Sequence, residues 1–499
     1  MERMHILPGE YWYSATSAYG TAFPLGEDDA GTFSLRDNAT MNQMVSALFS
    51  SRGRHLYAPE GFEVAFDRGT MTFSGGSPAL YEAGDCLRDA CRDFLRRFDR
   101  DAGKPMRLSA DFVNRRVYNT WIELTYAQNA RDVLGYARRL LAEGFAPGTL
   151  MIDDGWNLDY GDWRFHPERF PDPAQTLRTL HALGFRVMLW LVPYVSPDSL
   201  LARTLQERSL LLRDGDGMYV GRWWNGCSAA LDLRLEGAVR WLSEQMDALQ
   251  ALGVDGFKFD GGDSCFYLPA HEPDRQSHLW AAMAAREPYN EVRADVNTQG
   301  MSLMERLSDK QHAWGAGGVA DLIPATLALG LGGHPISSPD MIGGGEYRSF
   351  LNLAPEALDR ELLLKNAAIA AMMPVVQFSL DPGRVWPEGV PQILSLLEAR
   401  DRHAERYARL FAQAIHTKEP IVRYMEYVFP HQGMERVRDQ FMVGEGLLVA
   451  PLYERGQESR TVVLPAGRWR DEAGAVLGDP ARTTRHKSDA LLGLFEKID

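Results

Sequence analysis

Hydrophobic positions recur with two different periods along this 499-residue chain. From about residue 4 to 75, short apolar and aromatic runs (GEYWYS, RHLYAP, FEVAF, TMTFSGG) alternate with turn formers, which predicts an all-β region. The stretch 77–103 predicts a single amphipathic helix, with Leu87, Cys91, Phe94 and Leu95 on one face and charges opposite. After Val117 the pattern changes. Seven strand-like runs follow: VYNTWIEL, TLMIDDGW, FRVMLWLVPYV, DGFKFDGG, EVRADV, GGHPISSPDMIGG and MPVVQFSLDP. Helical patterns at 127–143, 174–183, 236–251, 318–330 and 359–371 lie between most of them. Such alternation predicts a parallel α/β architecture. The glycine fingerprint of a doubly wound dinucleotide fold is missing, which favours a (β/α)8 TIM barrel. From about 418 onward, QFMVGEGLLVAPLY and SRTVVLPAGRWRDE predict a separate β domain. The segment 196–230 is long for one βα connection and reads as an insertion.

Composition narrows the class of partner. The net charge of -14 argues against nucleic acid and anionic membrane, which select for basic patches. No apolar run has the length of a membrane span, and the N-terminus lacks the apolar core of a signal peptide, so a cytoplasmic location is expected. Self-association is left open. The four cysteines, Cys86, Cys91, Cys227 and Cys265, form no CxxC pair. Reduced thiols are expected, not a zinc site or a disulfide framework.

The candidate chemistry lies at the strand ends, where a barrel places its active site. Several runs end in polar residues: Glu123, Asp153 with Asp154, Asp260 and Asp340. The motifs GxSxG, HExxH and GxxxxGK[ST] are all absent. What remains is aspartate, arginine and tryptophan, the set that glycoside hydrolysis uses: two carboxylates flank the bond and aromatic faces hold the sugar. Asp260, behind the apolar strand GVDGFKFD, is the natural nucleophile. The nearby positive charge of Lys258 helps to keep it ionised. Asp263 is expected to support it or to bind a hydroxyl. Asp309, in MERLSDKQHAW, is the best candidate acid, although its spacing alone favours a helix cap or a surface pair with Lys310.

GFKFDGGD, LSDKQHAWG, HPISSPDMIGG and DQFMVGEGLLVAPLYERGQESRTVVLPAGRW resemble glycoside hydrolase family 31, from Arg54 to the end of the chain. The last motif is the most specific. The resemblance implies retaining α-glycosidase activity. It also implies a reduced N-terminal β-sandwich with a linking helix (1–115), a catalytic barrel (116–415) and one C-terminal β-sandwich domain (416–499). It places the nucleophile on Asp260 and the acid/base on Asp309. It further puts a hydroxyl-binding arginine on Arg293, sixteen residues before Asp309, and a ring-gripping aspartate on Asp153. The subsite tryptophan falls on Trp224, and Asp340 precedes a glycine pair as in the family. Two positions depart from the pattern. Ser379 replaces a histidine common in glucosidase members, and Arg306 replaces a tryptophan three residues before the acid.

The branch carrying NTWIEL, MIDDxW and DKxHxW together includes α-galactosidases, and this chain has all three. Paired Asp153 and Asp154 suit the 4- and 6-hydroxyls of galactose, with Trp156 over the apolar face of the ring and Trp190 also counted among the substrate contacts. The expectation is therefore a retaining exo-α-galactosidase acting on an oligosaccharide or glycoside. The double displacement it implies requires neither a metal nor an organic cofactor. Rival readings are another α-glycosidase (α-glucosidase, α-xylosidase or sulfoquinovosidase), a transglycosylase and a non-catalytic carbohydrate-binding protein. For a sulfonated sugar, Arg306 is the cation not otherwise explained.

Overall fold

The computed structural model describes residues 2–351 and 357–498. Its central sheet has eight parallel strands: β1 Arg116–Asn119, β2 Thr149–Ile152, β3 Arg186–Leu191, β4 Gly256–Phe259, β5 Asn290–Val292, β6 Glu305–Arg306, β7 Ser337–Ser338 and β8 Val376–Phe378. They neighbour one another in chain order, with β8 beside β1. The ring closes between β7 and β8. There the Val375 N–H donates to the Ser337 carbonyl at 3.0 Å and the Ile342 N–H to the Gln377 carbonyl at 2.7 Å. This is a (β/α)8 barrel, as the strand–helix alternation predicts.

The helical patterns fold as helices: Ala130–Ala142, Pro173–Ala182, Glu236–Leu252, Val319–Leu331 and Arg360–Ala371. Their ends follow local chemistry. Asn129 and Asp172 cap the first two by accepting from the backbone N–H three residues on. Gly253, at φ 118°, ends Glu236–Leu252 in the left-handed conformation. Val133, Tyr136, Ala137 and Leu140 form the buried stripe of Ala130–Ala142.

Besides the end of the first run, where WIEL is a short helix (Trp121–Leu124) that sets Glu123 against Arg139 and Arg384 and not at a strand end, two features differ from expectation. The single helix over 77–103 is a strand, Ala79–Glu82, followed by a helix, Leu87–Phe98. Antiparallel pairing of Ala79–Glu82 with Arg54–Tyr57 overrides helical periodicity at that end. The second is β6, which the sequence reading misses. It is two residues long, and both are charged and buried, so it has no apolar run to betray it.

No helix separates β5 from β6. The residues between them pack against the N-terminal region instead. The Met44 N–H donates to the Asp295 carbonyl at 3.0 Å, and the Asn297 N–H returns a bond to the Met44 carbonyl at 2.8 Å. Gln299 Nε2 and Arg100 Nη2 both donate to the Tyr57 hydroxyl.

Two four-stranded antiparallel sheets make up that N-terminal region, around a core that includes Trp12, Phe23, Leu56, Phe66 and Phe73. After the barrel, a six-stranded sheet and a two-stranded one enclose Met442, Val462, Leu464, Trp469 and Phe495. All four cysteines are unpaired. Among the described residues, no helix is long and apolar enough to cross a membrane.

Candidate active site

A cavity of about 420 Å³ opens at the C-terminal ends of the barrel strands. Asp153, Asp154, Trp190, Lys258, Asp260, Arg293 and Asp309 line it together. A larger cavity, about 600 Å³, lies between the helices Leu87–Phe98 and Ala404–Thr417 and the C-terminal sheet, and contains no strand-end carboxylate.

The GFKFDGG stretch explains itself in three dimensions. Side chains alternate along β4, so Lys258 and Asp260 share the inner face. Asp260 is held on both oxygens. Oδ1 accepts from Arg293 Nε at 2.8 Å and from the Gly261 N–H at 2.9 Å. Oδ2 accepts from Trp190 Nε1 at 3.0 Å and lies 3.4 Å from Lys258 Nζ. Burial pushes the Asp260 carboxyl up, but Lys258, Arg293 and Arg306 outweigh it and hold the group well below the usual carboxylate range. Gly262, at φ 72°, turns the chain beside Trp280. A Cβ there would lie 2.6 Å from the indole.

Lys258 also bonds Asp153 Oδ2 at 2.8 Å. Burial lowers its proton affinity, yet the two carboxylates keep it charged. Asp154 differs from its neighbour. It accepts from the Tyr160 hydroxyl at 2.9 Å and from Asn225 Nδ2 at 3.0 Å. Burial, reinforced by Asp153, raises its carboxyl to about 7.

Asp309 sits in an irregular loop and caps no helix. Its Oδ1 accepts from Arg306 Nη1 at 2.7 Å, and its side chain is 37% exposed. No pair with Lys310 forms. That lysine is buried and donates to the Ser308 carbonyl at 2.8 Å. Arg306 lies inside the barrel, bonded to Glu291 at 2.9 Å, Asp309 at 2.7 Å and Asp340 at 3.1 Å. Asp340 in turn accepts from the N–H groups of Lys310 and Gly345. Gly345 must lack a Cβ, which would lie 2.6 Å from Asp309 Oδ1.

Three expected substrate contacts, Trp156, Arg306 and Asp340, therefore need correction, and Asp263 takes the supporting one of its two expected roles. Trp156 is buried and donates Nε1 to the Trp190 carbonyl, packed against Trp163 and Phe165. Gly155, at φ 95°, turns the chain away from the cavity just before it. Asp263 is buried as the partner of Arg293, at 2.6 Å. Arg306 and Asp340 are fixed to other charges and do not line the cavity. Arg306 is thus no spare cation for a sulfonate. Trp224 does line it, at the tip of a hairpin formed by Val220–Trp223 and Gly226–Ala230, with the Arg293 guanidinium 4.8 Å from its ring centre. Ser379, at the position of a family histidine, is buried away from the lining residues.

Several lining residues escape the sequence reading. Trp121 and Tyr126 meet edge to face at 5.2 Å, and Tyr347 packs against both. Trp121 stood inside NTWIEL, a signal that could have been used. Glu346 and Arg348 flank Tyr347. Thr40 and Met41 come from the N-terminal region, where the Met41 carbonyl accepts from Arg293 Nη1 at 2.7 Å. Nothing in the local pattern around residue 40 announces this.

The chain matches two family models: the glycosyl hydrolases family 31 TIM-barrel domain over residues 113–385, and the family 31 C-terminal domain over 418–489. It is 33% identical over 399 residues to myogenesis-regulating glycosidase of Mus musculus, which covers 75% of this chain and 54% of the mouse protein. It is 23% identical over 356 residues to sulfoquinovosidase of Escherichia coli, covering 63% of this chain and 49% of that one. The chain thus spans about half the length of these relatives. Among solved structures, a family 31 sulfoquinovosidase from E. rectale bound to an aza-sugar inhibitor aligns at a TM-score of 0.84. It shares 15% identity and covers 100% of this chain and 82% of its own. An α-xylosidase from a soil metagenome, complexed with xylose, aligns at 0.81 with 19% identity, covering 99% and 79%. These likenesses support the family and the fold but not the α-galactosidase branch: the mouse relative's name specifies no sugar, and an α-xylosidase and a sulfoquinovosidase among the relatives are named for other sugars. The chain belongs to glycoside hydrolase family 31.

Proposed function

We propose that the chain is a retaining exo-α-glycosidase acting on an uncharged terminal sugar. Asp260 attacks the anomeric carbon as the leaving oxygen departs with a proton from Asp309, giving a covalent glycosyl-enzyme. Asp309 then takes a proton from water, which attacks the same carbon and frees Asp260. The observation that carries this reading is the contrast between the two carboxylates. Asp260 is buried, ionised and oriented through both oxygens. Asp309 is part-exposed and uses one oxygen on Arg306, leaving Oδ2 for the leaving group.

Charge around the cavity supports a neutral sugar. Lys258 and Arg293 are both already bonded to carboxylates, and Arg348 stands exposed at the mouth, so among the described residues no buried cation of the lining is free to bind a sulfonate. The names of relatives, α-glucosidase and α-xylosidase among them, support a sugar with an equatorial or absent substituent pattern of the gluco or xylo type. A second reading, an α-galactoside, rests on adjacent Asp153 and Asp154, which both face the cavity. The stacking role of Trp156 no longer supports it.

The test is a panel of p-nitrophenyl α-glucoside, α-xyloside, α-galactoside and α-sulfoquinovoside, with Asp260→Asn as the blank. Proton NMR follows the anomer first released. Turnover of a neutral glycoside with the α-anomer appearing first is expected. First release of the β-anomer, preference for the sulfonated sugar, or silence on all four from folded protein would each overturn the proposal.

A further inference from the structure

Glu305 precedes Arg306 on β6 and points to the opposite side of the strand, out of the barrel. There it meets Asp295, from the β5–β6 connection, and His334, from the turn before β7. All three are fully buried. Their facing carboxylate oxygens and ring nitrogen lie within 4.8 Å of one another. One oxygen of each carboxylate is engaged: Thr298 Oγ1 donates to Asp295 Oδ1 at 2.7 Å, and Gln43 Nε2 to Glu305 Oε2 at 3.2 Å. Both ring nitrogens of His334 have no hydrogen-bond partner, and Asp295 Oδ2 and Glu305 Oε1 receive no donor from any other described residue, so the two carboxyls can satisfy one another only by holding a proton between them. Folded proteins rarely bury so many unpartnered polar atoms in one place. Among the described residues, no lysine or arginine pairs with either carboxylate, and two buried acids without a cation are disfavoured.

We propose that Asp295, Glu305 and His334 bind one divalent ion of the zinc type, which fastens the helix-free β5–β6 connection to the barrel wall. Two ligands each about 2.1 Å from one tetrahedral ion stand about 3.4 Å apart. His334 Nδ1 and Glu305 Oε1 are 3.4 Å apart. Two carboxylates and a neutral imidazole balance a dication, and one nitrogen with two oxygens is a donor set that zinc accepts. Water completes the fourth position. The ion touches no sugar. It acts by fixing Glu305 and, through the next residue, the Arg306–Asp309 pair. Without an ion, burial and the charge of Asp295 keep a proton on Glu305. The two states differ in metal content and are separable.

The full chain is dialysed against ZnCl2, then against metal-free buffer, and its metal is measured by inductively coupled plasma mass spectrometry. About one zinc per chain is expected, with a thermal midpoint that falls when a zinc chelator is added. Glu305→Gln and His334→Gln, checked by circular dichroism, should bind zinc at least tenfold more weakly and lose the chelator response. No retained zinc in the unsubstituted protein, or a midpoint indifferent to chelator, overturns the proposal. So does unchanged zinc affinity in both variants. If the variants fail to fold, the measurements on the unsubstituted chain decide alone.

Discussion

Replacing Lys258 with methionine removes a buried charge that touches both Asp153 and Asp260 while keeping most of the side-chain volume. The Lys258–Asp260 separation is 3.4 Å. At an effective dielectric near 20, a unit pair at that distance is worth about 5 kcal/mol, equivalent to about 3.5 units of carboxylate pKa. Arg293 remains bonded to Asp260 Oδ1, so the full amount is an upper figure. The sign is fixed. Losing a cation raises the carboxyl, so the proposed nucleophile becomes ionised only at higher pH. In the unsubstituted protein Asp260 lies well below the usual carboxylate range. Its acid limb is therefore out of reach of ordinary assays. In Lys258→Met the limb of kcat/KM should climb by about 2 to 3 units, toward the ordinary carboxylate range, and is read from rates at the lowest pH the fold tolerates. KM should rise as well, because Asp153 loses the buried partner that orients it. Breaking a buried pair costs about 3–5 kcal/mol of stability, so the thermal midpoint must be recorded beside the kinetics. A folded Lys258→Met enzyme with an unmoved acid limb and unchanged KM would refute the electrostatic account of this site.

Asp260→Asn should abolish turnover and keep the fold, since the side-chain volume is unchanged and the amide oxygen can still accept from Arg293, although Trp190 Nε1 then loses its acceptor; circular dichroism and activity check this together. Asp309→Asn should slow glycosides with poor leaving groups by about 10²- to 10⁴-fold and spare activated aryl glycosides, as loss of a general acid does. Asp154 titrates at about 7, and its donors Tyr160 and Asn225 suit the ionised form. KM should therefore fall as pH rises through 7, and Asp154→Asn should flatten that profile. Trp224 is 43% exposed, so Trp224→Ala should barely change the midpoint while raising KM about tenfold, read from initial rates on an oligosaccharide.

Legibility in the sequence followed the length of the local signal. Asp153 and Asp260 were readable because each ends an apolar strand, and the strand period puts Lys258 on the same face as Asp260; Arg293 came only through the family resemblance, since its strand, Asn290–Val292, holds one apolar residue. β6 was not, because Glu305 and Arg306 make a barrel strand from two buried charges. Their stability comes from partners such as Gln43, Glu291 and Asp340, all distant in the chain. Trp156 misled because a strand period extended past Gly155 keeps it beside the sugar, whereas the left-handed glycine redirects it. Arg306 was singled out only by its departure from the family tryptophan, and coordinates were needed to see that it anchors Asp309.

The docking of Met44 beside Asp295 has a consequence for how the chain is made. The two residues are separated by roughly half the polypeptide, and a ribosome adding about 5–20 residues per second needs on the order of 10 to 50 s to supply the second after the first. Through that interval the segment carrying Asn38, Thr40, Asn42 and Gln43 waits without its partners Asp295, Ser308 and Arg306. Its polar side chains suit such a wait, since water satisfies them until the barrel wall arrives. The segment would then anneal onto the β5–β6 wall well after it was itself made, and the cavity, walled in part by Thr40 and Met41, would form only after that point.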